Sequence, residues 1–144
     1  MVKEGEAAPG FSLEAHDGRT INLHDFLGKK SIVLYFYIRD NTLGCTAETC
    51  GFRDMYERLK QHDFEIFGIS PDDIESHNKF AKEHGVPFPL LSDKDKQVAK
   101  AYGVLGMMGL MNKRITFVIG MDGKVNKIVE GLGAGKHLDA IAKL

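Results

Sequence analysis

The two cysteines of the chain, Cys45 and Cys50, stand five residues apart. A near-continuous apolar run before them predicts a buried strand over 31–37, and apolar residues at helical spacing after them predict a helix over 45–61. Cys45 therefore falls at a helix N-terminus. Free backbone N–H groups and the positive end of the helix dipole stabilise a sulfur anion there. We expect Cys45 to act as a thiolate nucleophile.

The spacing of the cysteines prevents a disulfide while the helix is intact. Five residues rotate Cys50 about 140° from Cys45 and raise it roughly 7.5 Å along the helix axis. The two Cα atoms then lie beyond the limit of about 7 Å for a disulfide. We therefore predict that the first turn unwinds after Cys45 is oxidised, so that Cys50 can attack it. The alternative is that these are inert core cysteines, which applies more to Cys50.

Composition indicates one cytoplasmic globular domain over residues 1–144. The 19 basic and 20 acidic side chains give a net charge of -1, which provides no general attraction to nucleic acid or to an anionic membrane. The N-terminal residues lack the apolar core of a signal peptide, and no run approaches the length of a membrane span. In a reducing compartment, two cysteines favour redox chemistry over a permanent disulfide.

The order of the predicted elements indicates an α/β fold. Hydrophobic periodicity predicts a hairpin over 11–13 and 20–23, strands over 31–37, 64–70, 115–120 and 124–129, and helices over 45–61, 72–85, 96–101 and 136–143. The last of these strands is expected at a sheet edge. The order is that of a thioredoxin-like fold with an N-terminal β-hairpin extension and one inserted strand–helix unit.

The segment around the cysteines, FYIRDNTLGCTAETCGFRD from Phe36 to Asp54, is similar to the active-site signature of peroxiredoxins. The likeness is to the PrxQ branch, also called bacterioferritin comigratory proteins, and it covers essentially the whole chain. It continues through 8–11 (APGF), 69–72 (ISPD), 87–93 (PFPLLSD) and 114–119 (RITFVI). The resemblance implies reduction of hydrogen peroxide or organic hydroperoxides by two electrons, without a flavin, haem or metal cofactor.

The resemblance also implies a role for five residues. Cys45 matches the peroxidatic cysteine, which becomes a sulfenic acid, and Cys50 matches the resolving cysteine, which yields an intramolecular disulfide. Thr42 matches the threonine that holds the peroxide, Arg114 the arginine that positions it, and Glu48 an acidic residue that orients the arginine. The expected partners are a peroxide substrate and thioredoxin or a similar dithiol reductant.

Three of these residues also have simpler interpretations. Thr42 suits a helix N-cap, and this is compatible with a role in peroxide binding. An arginine at the start of a strand, as at Arg114, is commonly just solvated. An acidic residue in the first turn, such as Glu48, suits the helix dipole.

The chain departs from the family pattern at two prolines, which are replaced by Ile38 and Leu43. The first proline covers the thiolate, and Ile38 keeps an apolar cover without the fixed backbone. We therefore expect the same chemistry in a less rigid pocket. Gly10 also replaces an aspartate common in the N-terminal motif, with no consequence that we can derive.

Two further groups of residues have less specific patterns. Met107, Met108 and Met111 lie in an irregular stretch before Arg114, which we interpret as a connector that packs its methionines onto the core. The alternative is an adaptable apolar wall for organic hydroperoxides or for a reductase. The six histidines show no metal-ligand spacing and are assigned to surface or structural positions.

Two other functions are compatible with a pair of redox cysteines. A thiol–disulfide oxidoreductase is disfavoured, because the chain has no Cys-x-x-Cys and no proline at 115–116. A non-enzymatic redox sensor differs from a peroxidase in that it does not consume many equivalents of peroxide. For the oligomeric state we expect a monomer, with a weak dimer as the alternative.

Overall fold

A computed structural model describes the backbone of residues 1–144 and every side chain except that of Met107. The strands are β1 (Ser12–Glu14), β2 (Thr20–Asn22), β3 (Ser31–Phe36), β4 (Phe64–Ser70), β5 (Leu90–Ser92), β6 (Ile115–Ile119) and β7 (Val125–Glu130). The helices are α1 (Leu43–Gln61), α2 (Ile74–His84), α3 (Gln97–Tyr102) and α4 (Ala134–Ala142). Short 3-10 turns cover Leu23–Asp25 and Met107–Gly109.

A five-stranded sheet in the order β5-β4-β3-β6-β7 forms the centre of the molecule. β3 and β5 run parallel to β4, whereas β6 is antiparallel to both β3 and β7. β1 and β2 form a separate antiparallel hairpin. The inserted unit, β5 and α3, adds its strand at the edge next to β4, and β7 occupies the opposite edge. The thioredoxin-like arrangement predicted from the sequence is therefore confirmed.

Side chains of β3 alternate between two cores, one on each face of the sheet. Ile32, Leu34 and Phe36 lie in the core shared with the hairpin and α3. Val33 and Tyr35 lie in the core shared with α1, α2 and α4. Because both faces are covered, β3 is a continuous apolar run. Cys45 belongs to the second core, so the first turn of α1 packs against this face of the sheet.

The predicted ends of α2 follow from capping. The Asp73 side chain accepts a hydrogen bond from the Ser76 N–H at 2.8 Å, which satisfies one free donor of the first turn. Gly85 ends the helix at φ 60°, in the left-handed region that glycine adopts without steric cost. α4 begins at Ala134, two residues before the predicted start at Lys136.

The expectation that the methionine loop packs onto the core is wrong for Met108 and Met111, whose exposed fractions are 86% and 57%. The backbone is nevertheless ordered by hydrogen bonds, from Gly106 N–H to Met111 O at 2.7 Å and from Lys96 Nζ to Leu110 O at 2.6 Å. The expectation for Met107 falls on a side chain outside the described part. Among the described residues, no helix is both long and apolar enough to cross a membrane.

Candidate active site

The start of α1 places the Cys45 sulfur beside free backbone donors. Thr42 occupies the N-cap position in an extended conformation, and the first helical hydrogen bond runs from Thr46 N–H to Thr42 O at 2.9 Å. The N–H groups of Leu43, Gly44 and Cys45 precede that bond and have no helical acceptor. Cys45 is fully buried, so the electrostatic interaction of its sulfur with these N–H groups is stronger than it would be in water.

Arg114 is the only described side chain that donates to the Cys45 sulfur within hydrogen-bond distance. Its Nη2 lies 3.1 Å from Cys45 Sγ, its Nη1 donates to Glu48 Oε1 at 2.6 Å, and its Nε donates to Leu132 O at 2.8 Å. Three acceptors therefore fix the plane of the guanidinium. Gly44 leaves room for this approach, since a Cβ there would lie 3.0 Å from Nη2.

The electrostatics of the cluster keep Arg114 charged. Burial lowers the pKa of Arg114, but the adjacent Glu48 and Cys45 outweigh it and the net shift is upward. Burial raises the pKa of Glu48 to about 7 despite Arg114. This direction fits the geometry, because Glu48 Oε2 is buried and has no hydrogen-bond partner among the described atoms. The pairing of Glu48 with the arginine suggested by the resemblance is present.

His137 of α4 lies behind this cluster and was not singled out by its sequence pattern. Its Nε2 donates to Gly131 O at 2.8 Å, so in the neutral ring its Nδ1 accepts from the Thr116 hydroxyl at 2.8 Å. Burial lowers the pKa of His137, which favours that neutral form. Its Nδ1 is also 3.7 Å from Glu48 Oε2. No local spacing relates His137 to Glu48, and only the fold brings them together.

The loop between β3 and α1 is anchored through Asp40. This carboxylate accepts hydrogen bonds from the Tyr37 hydroxyl at 2.6 Å, from His77 Nδ1 at 2.7 Å and from the Ser76 hydroxyl at 2.8 Å. Burial opposes ionisation, but these donors outweigh it and lower the pKa of Asp40. The Asp40 N–H also donates to Asp72 Oδ2 at 2.8 Å. Asp40 lies between Ile38 and Leu43, so these hydrogen bonds hold the stretch in which the family prolines are replaced.

The two residues that replace those prolines have different environments. Ile38 is half-buried and packs against the core cluster that contains Cys45. Leu43 is 93% exposed in the first helical turn. The Thr42 hydroxyl donates to Arg39 O at 3.0 Å and makes no side-chain cap bond to the helix. The N-cap position predicted for Thr42 is thus confirmed, without the capping hydrogen bond.

Cys50 lies half-buried on the same unbroken helix, and both cysteines are free. Arg53 Nη1 lies 3.7 Å from Cys50 Sγ and donates to His84 O at 2.7 Å. Between the cysteines, Thr49 Oγ1 shares a buried hydrogen bond of 2.9 Å with the Tyr35 hydroxyl. The intact helix separates Cys45 from Cys50, as the spacing predicts, so a disulfide between them requires local unwinding.

A model of the AhpC/TSA family matches residues 5–128. The chain belongs to this family. It is 42% identical to the chloroplastic peroxiredoxin Q of Populus jackii, over 99% of this chain and 68% of the relative. It is 38% identical to peroxiredoxin Bcp of Escherichia coli K12, over 97% of this chain and 93% of the relative.

A solved structure supports the same assignment. The bacterioferritin comigratory protein of Xanthomonas campestris, described for its alkyl peroxide reduction activity, superposes with a TM-score of 0.87 at 28% identity. The match covers 99% of this chain and 94% of that chain. This AhpC/TSA protein is a thiol-dependent peroxidase of the peroxiredoxin Q and Bcp type, as predicted.

Proposed function

We propose that Cys45 is the peroxidatic cysteine of this thiol-dependent peroxidase. The observation that carries the proposal is the contact of 3.1 Å between Arg114 Nη2 and Cys45 Sγ at a helix N-terminus. The guanidinium and the free N–H groups of the first turn stabilise the thiolate before reaction. They also lie where negative charge develops on the leaving oxygen.

The reaction proceeds by displacement on the peroxide. The Cys45 thiolate attacks the terminal oxygen, the S–O bond forms and the O–O bond breaks, which leaves a sulfenic acid and an alkoxide or hydroxide that takes up a proton. Arg114 orients the peroxide, and Glu48 orients Arg114 through the Nη1 contact of 2.6 Å. Thr42 also binds the peroxide, for which its hydroxyl exchanges the present hydrogen bond to Arg39 O.

In the second half of the proposed cycle, Cys50 resolves the sulfenic acid to an intramolecular disulfide after the first part of α1 unwinds. A thioredoxin-type dithiol then reduces the disulfide. Both hydrogen peroxide and organic hydroperoxides are proposed substrates, and the activity described for the Xanthomonas campestris relative supports the organic ones. The exposed side chains of Leu110 and Met111 line a surface cavity together with Ile38 and Arg39 of the loop before α1, and this apolar surface suits organic substrates.

The assembly and location are also proposals. We propose that residues 1–144 form a single domain that acts as a monomer in the cytoplasm, without a nucleic-acid or membrane partner. The location is inferred from the sequence, and the poplar relative is named as chloroplastic. Sedimentation of the reduced protein over a range of concentrations measures the oligomeric state, and a stable dimer at micromolar concentration would contradict the monomer.

Two cysteine variants test the cycle in a peroxide-consumption assay coupled to thioredoxin. Cys45→Ser should show no turnover, because Cys50, the other free thiol, lacks the contact with Arg114 that the Cys45 sulfur has. Cys50→Ser should consume one equivalent and then stop or become over-oxidised. Multiple turnovers in Cys45→Ser would refute the assignment of the nucleophile, and full steady-state activity in Cys50→Ser would remove Cys50 from the cycle.

A further inference from the structure

We propose that Arg53 is a further catalytic residue of the resolving step, in which it activates the Cys50 thiol. This inference rests on the proposed resolving role of Cys50. Arg53 follows Cys50 by three residues on α1, so the two side chains lie on the same helix face. Its Nη1 is 3.7 Å from Cys50 Sγ. Cys50 therefore has its own arginine, distinct from the one that serves Cys45.

The guanidinium of Arg53 is held in place by two other acceptors. Nη1 carries two hydrogens, and it donates to His84 O at 2.7 Å as well as facing the sulfur. Nε donates to Asp54 Oδ1 at 3.0 Å. An arginine that was merely solvated would not be fixed on both sides. The cation is thus oriented toward Cys50 by contacts that do not involve the peroxide site.

Contacts of α1 also place Arg53 at the boundary of the segment that must unwind. The bond to His84 O ties α1 to the end of α2. Two residues before Arg53, Gly51 packs so tightly against α4 that a Cβ would lie 2.4 Å from Leu138 Cδ1. Both contacts favour a helix that stays intact from residue 51 onward. Arg53 therefore remains beside Cys50 while the turns that precede it open.

The chemistry of the resolving step explains why a cation is needed there. The Cys50 thiol must lose its proton, because the thiolate is the nucleophile. It attacks the sulfur of the Cys45 sulfenic acid, the S–S bond forms and the S–O bond breaks. Hydroxide leaves and takes up a proton as water, so that the Cys50 sulfur is oxidised and the Cys45 sulfur is reduced. The Arg53 charge stabilises the attacking anion.

A single-turnover experiment separates the two steps. Reduced protein is mixed with one equivalent of hydrogen peroxide, quenched at intervals with dimedone or with acid and an alkylating agent, and analysed by mass spectrometry. In Arg53→Gln, sulfenic acid should form within about twofold of the wild-type rate, whereas disulfide formation should slow by about tenfold at pH 6–7. The defect should shrink at pH 9, where solvent removes the thiol proton without help.

Two matched variants decide whether the effect is that of a charge at this position. Arg53→Lys keeps a cation and should recover most of the disulfide rate. Arg58→Gln removes another arginine of α1, which contacts the carbonyls of Ala142 and Leu144 and is expected to leave both rates unchanged. An equal defect in Arg53→Lys, or a defect that does not change with pH, would overturn the electrostatic role.

The outcomes for Arg53 and for the proposed cycle are distinguishable. Disulfide formation at the wild-type rate in Arg53→Gln would refute the role of Arg53 and leave the cycle intact. If the wild-type protein forms no disulfide between Cys45 and Cys50, the resolving role of Cys50 is itself refuted. The rate of sulfenic acid formation in Arg53→Gln reports that the variant is folded, since that step needs an intact site at Cys45.

Discussion

Each cysteine of α1 lies next to an arginine, but the two pairs are built differently. Cys45 is fully buried, and Arg114, which is almost fully buried, approaches its sulfur to 3.1 Å. Cys50 is half-buried, and the 34% exposed Arg53 side chain lies 3.7 Å from its sulfur. A charge in the buried pair acts through a lower effective dielectric, so the same type of side chain has a larger effect at Cys45.

The pairs also differ in the origin of the arginine. Arg114 lies directly before β6, 69 residues after Cys45, and is also bound to Glu48 and to the Leu132 carbonyl. Arg53 comes from the same helix as Cys50. Unwinding that carries Cys45 away from the sheet must break the first contact, whereas it need not break the second. The difference indicates that the pair of Cys45 and Arg114 serves the reaction with peroxide, whereas the pair of Cys50 and Arg53 can persist while the helix unwinds.

The largest effect is expected on removing the buried cation. Arg114→Gln should lower the second-order rate constant for peroxide by about 10²- to 10³-fold, as for the loss of a donor to a developing oxyanion. Stopped-flow competition with a reference peroxidase measures that constant. The comparison between the two pairs predicts a change within about twofold for Arg53→Gln in the same assay. Equal losses in both variants would show that burial does not distinguish the two sites.

The next effect concerns Glu48 and the pH dependence of stability. Its pKa in the folded protein is about 7, above the ordinary 4.5. Between these values the unfolded chain loses the proton while the folded protein keeps it, so the folding free energy becomes less favourable as the pH rises. Relative to Glu48→Gln, the wild type should lose about 2–3 kcal/mol of stability between pH 4.5 and 8.

Urea unfolding at several pH values measures this loss. Asp54 supplies the matched control, because its exposed carboxylate forms an ion pair with Arg53, the arginine next to Cys50. Asp54→Asn shows what the loss of a carboxylate from α1 does by itself. A flat difference between the wild type and Glu48→Gln would show that Glu48 is ionised throughout, and that the missing partner of its Oε2 has no energetic consequence.

The smallest effect is expected on removing the hydrogen bond between Tyr35 and Thr49, a residue of α1 between Cys45 and Cys50. Tyr35→Phe leaves the buried Thr49 hydroxyl without its partner at 2.9 Å, which should destabilise the protein by about 1–2 kcal/mol. Because this bond anchors the part of α1 that must open, the variant should also form the disulfide faster after oxidation. Thermal unfolding and the single-turnover assay measure the two quantities. Lower stability with a slower disulfide would mean that Thr49 is not released during unwinding.

Much of the site could be predicted because it depends on local order. The apolar run of β3 and the helical spacing after it place Cys45 at a helix start, and the spacing to Cys50 follows from the sequence alone. Capping residues such as Asp73 and Gly85 mark the ends of α2 correctly. The methionine loop was predicted wrongly, because periodicity cannot decide whether an irregular apolar segment finds a surface to cover.

Other parts of the site could not be predicted, since they depend on partners distant in the sequence. His137 had no pattern that related it to the active site, yet it contacts Gly131 and Thr116 behind Arg114. Asp40 and His77 form a hydrogen bond although they are 37 residues apart in the sequence. In each case a single polar residue has several plausible environments, and only packing selects one of them.

The sequence by itself determined the order of elements, the position of Cys45 at a helix N-terminus and the need to unwind before Cys50 can reach it. These properties depend on periods of two and 3.6 residues and on helix geometry. The resemblance already implied that Arg114 and Glu48 belong to the site, but tertiary structure alone decided that His137 joins them, and that burial raises the pKa of Glu48 to about 7. Such properties depend on which strands are neighbours and on how much water the packing excludes.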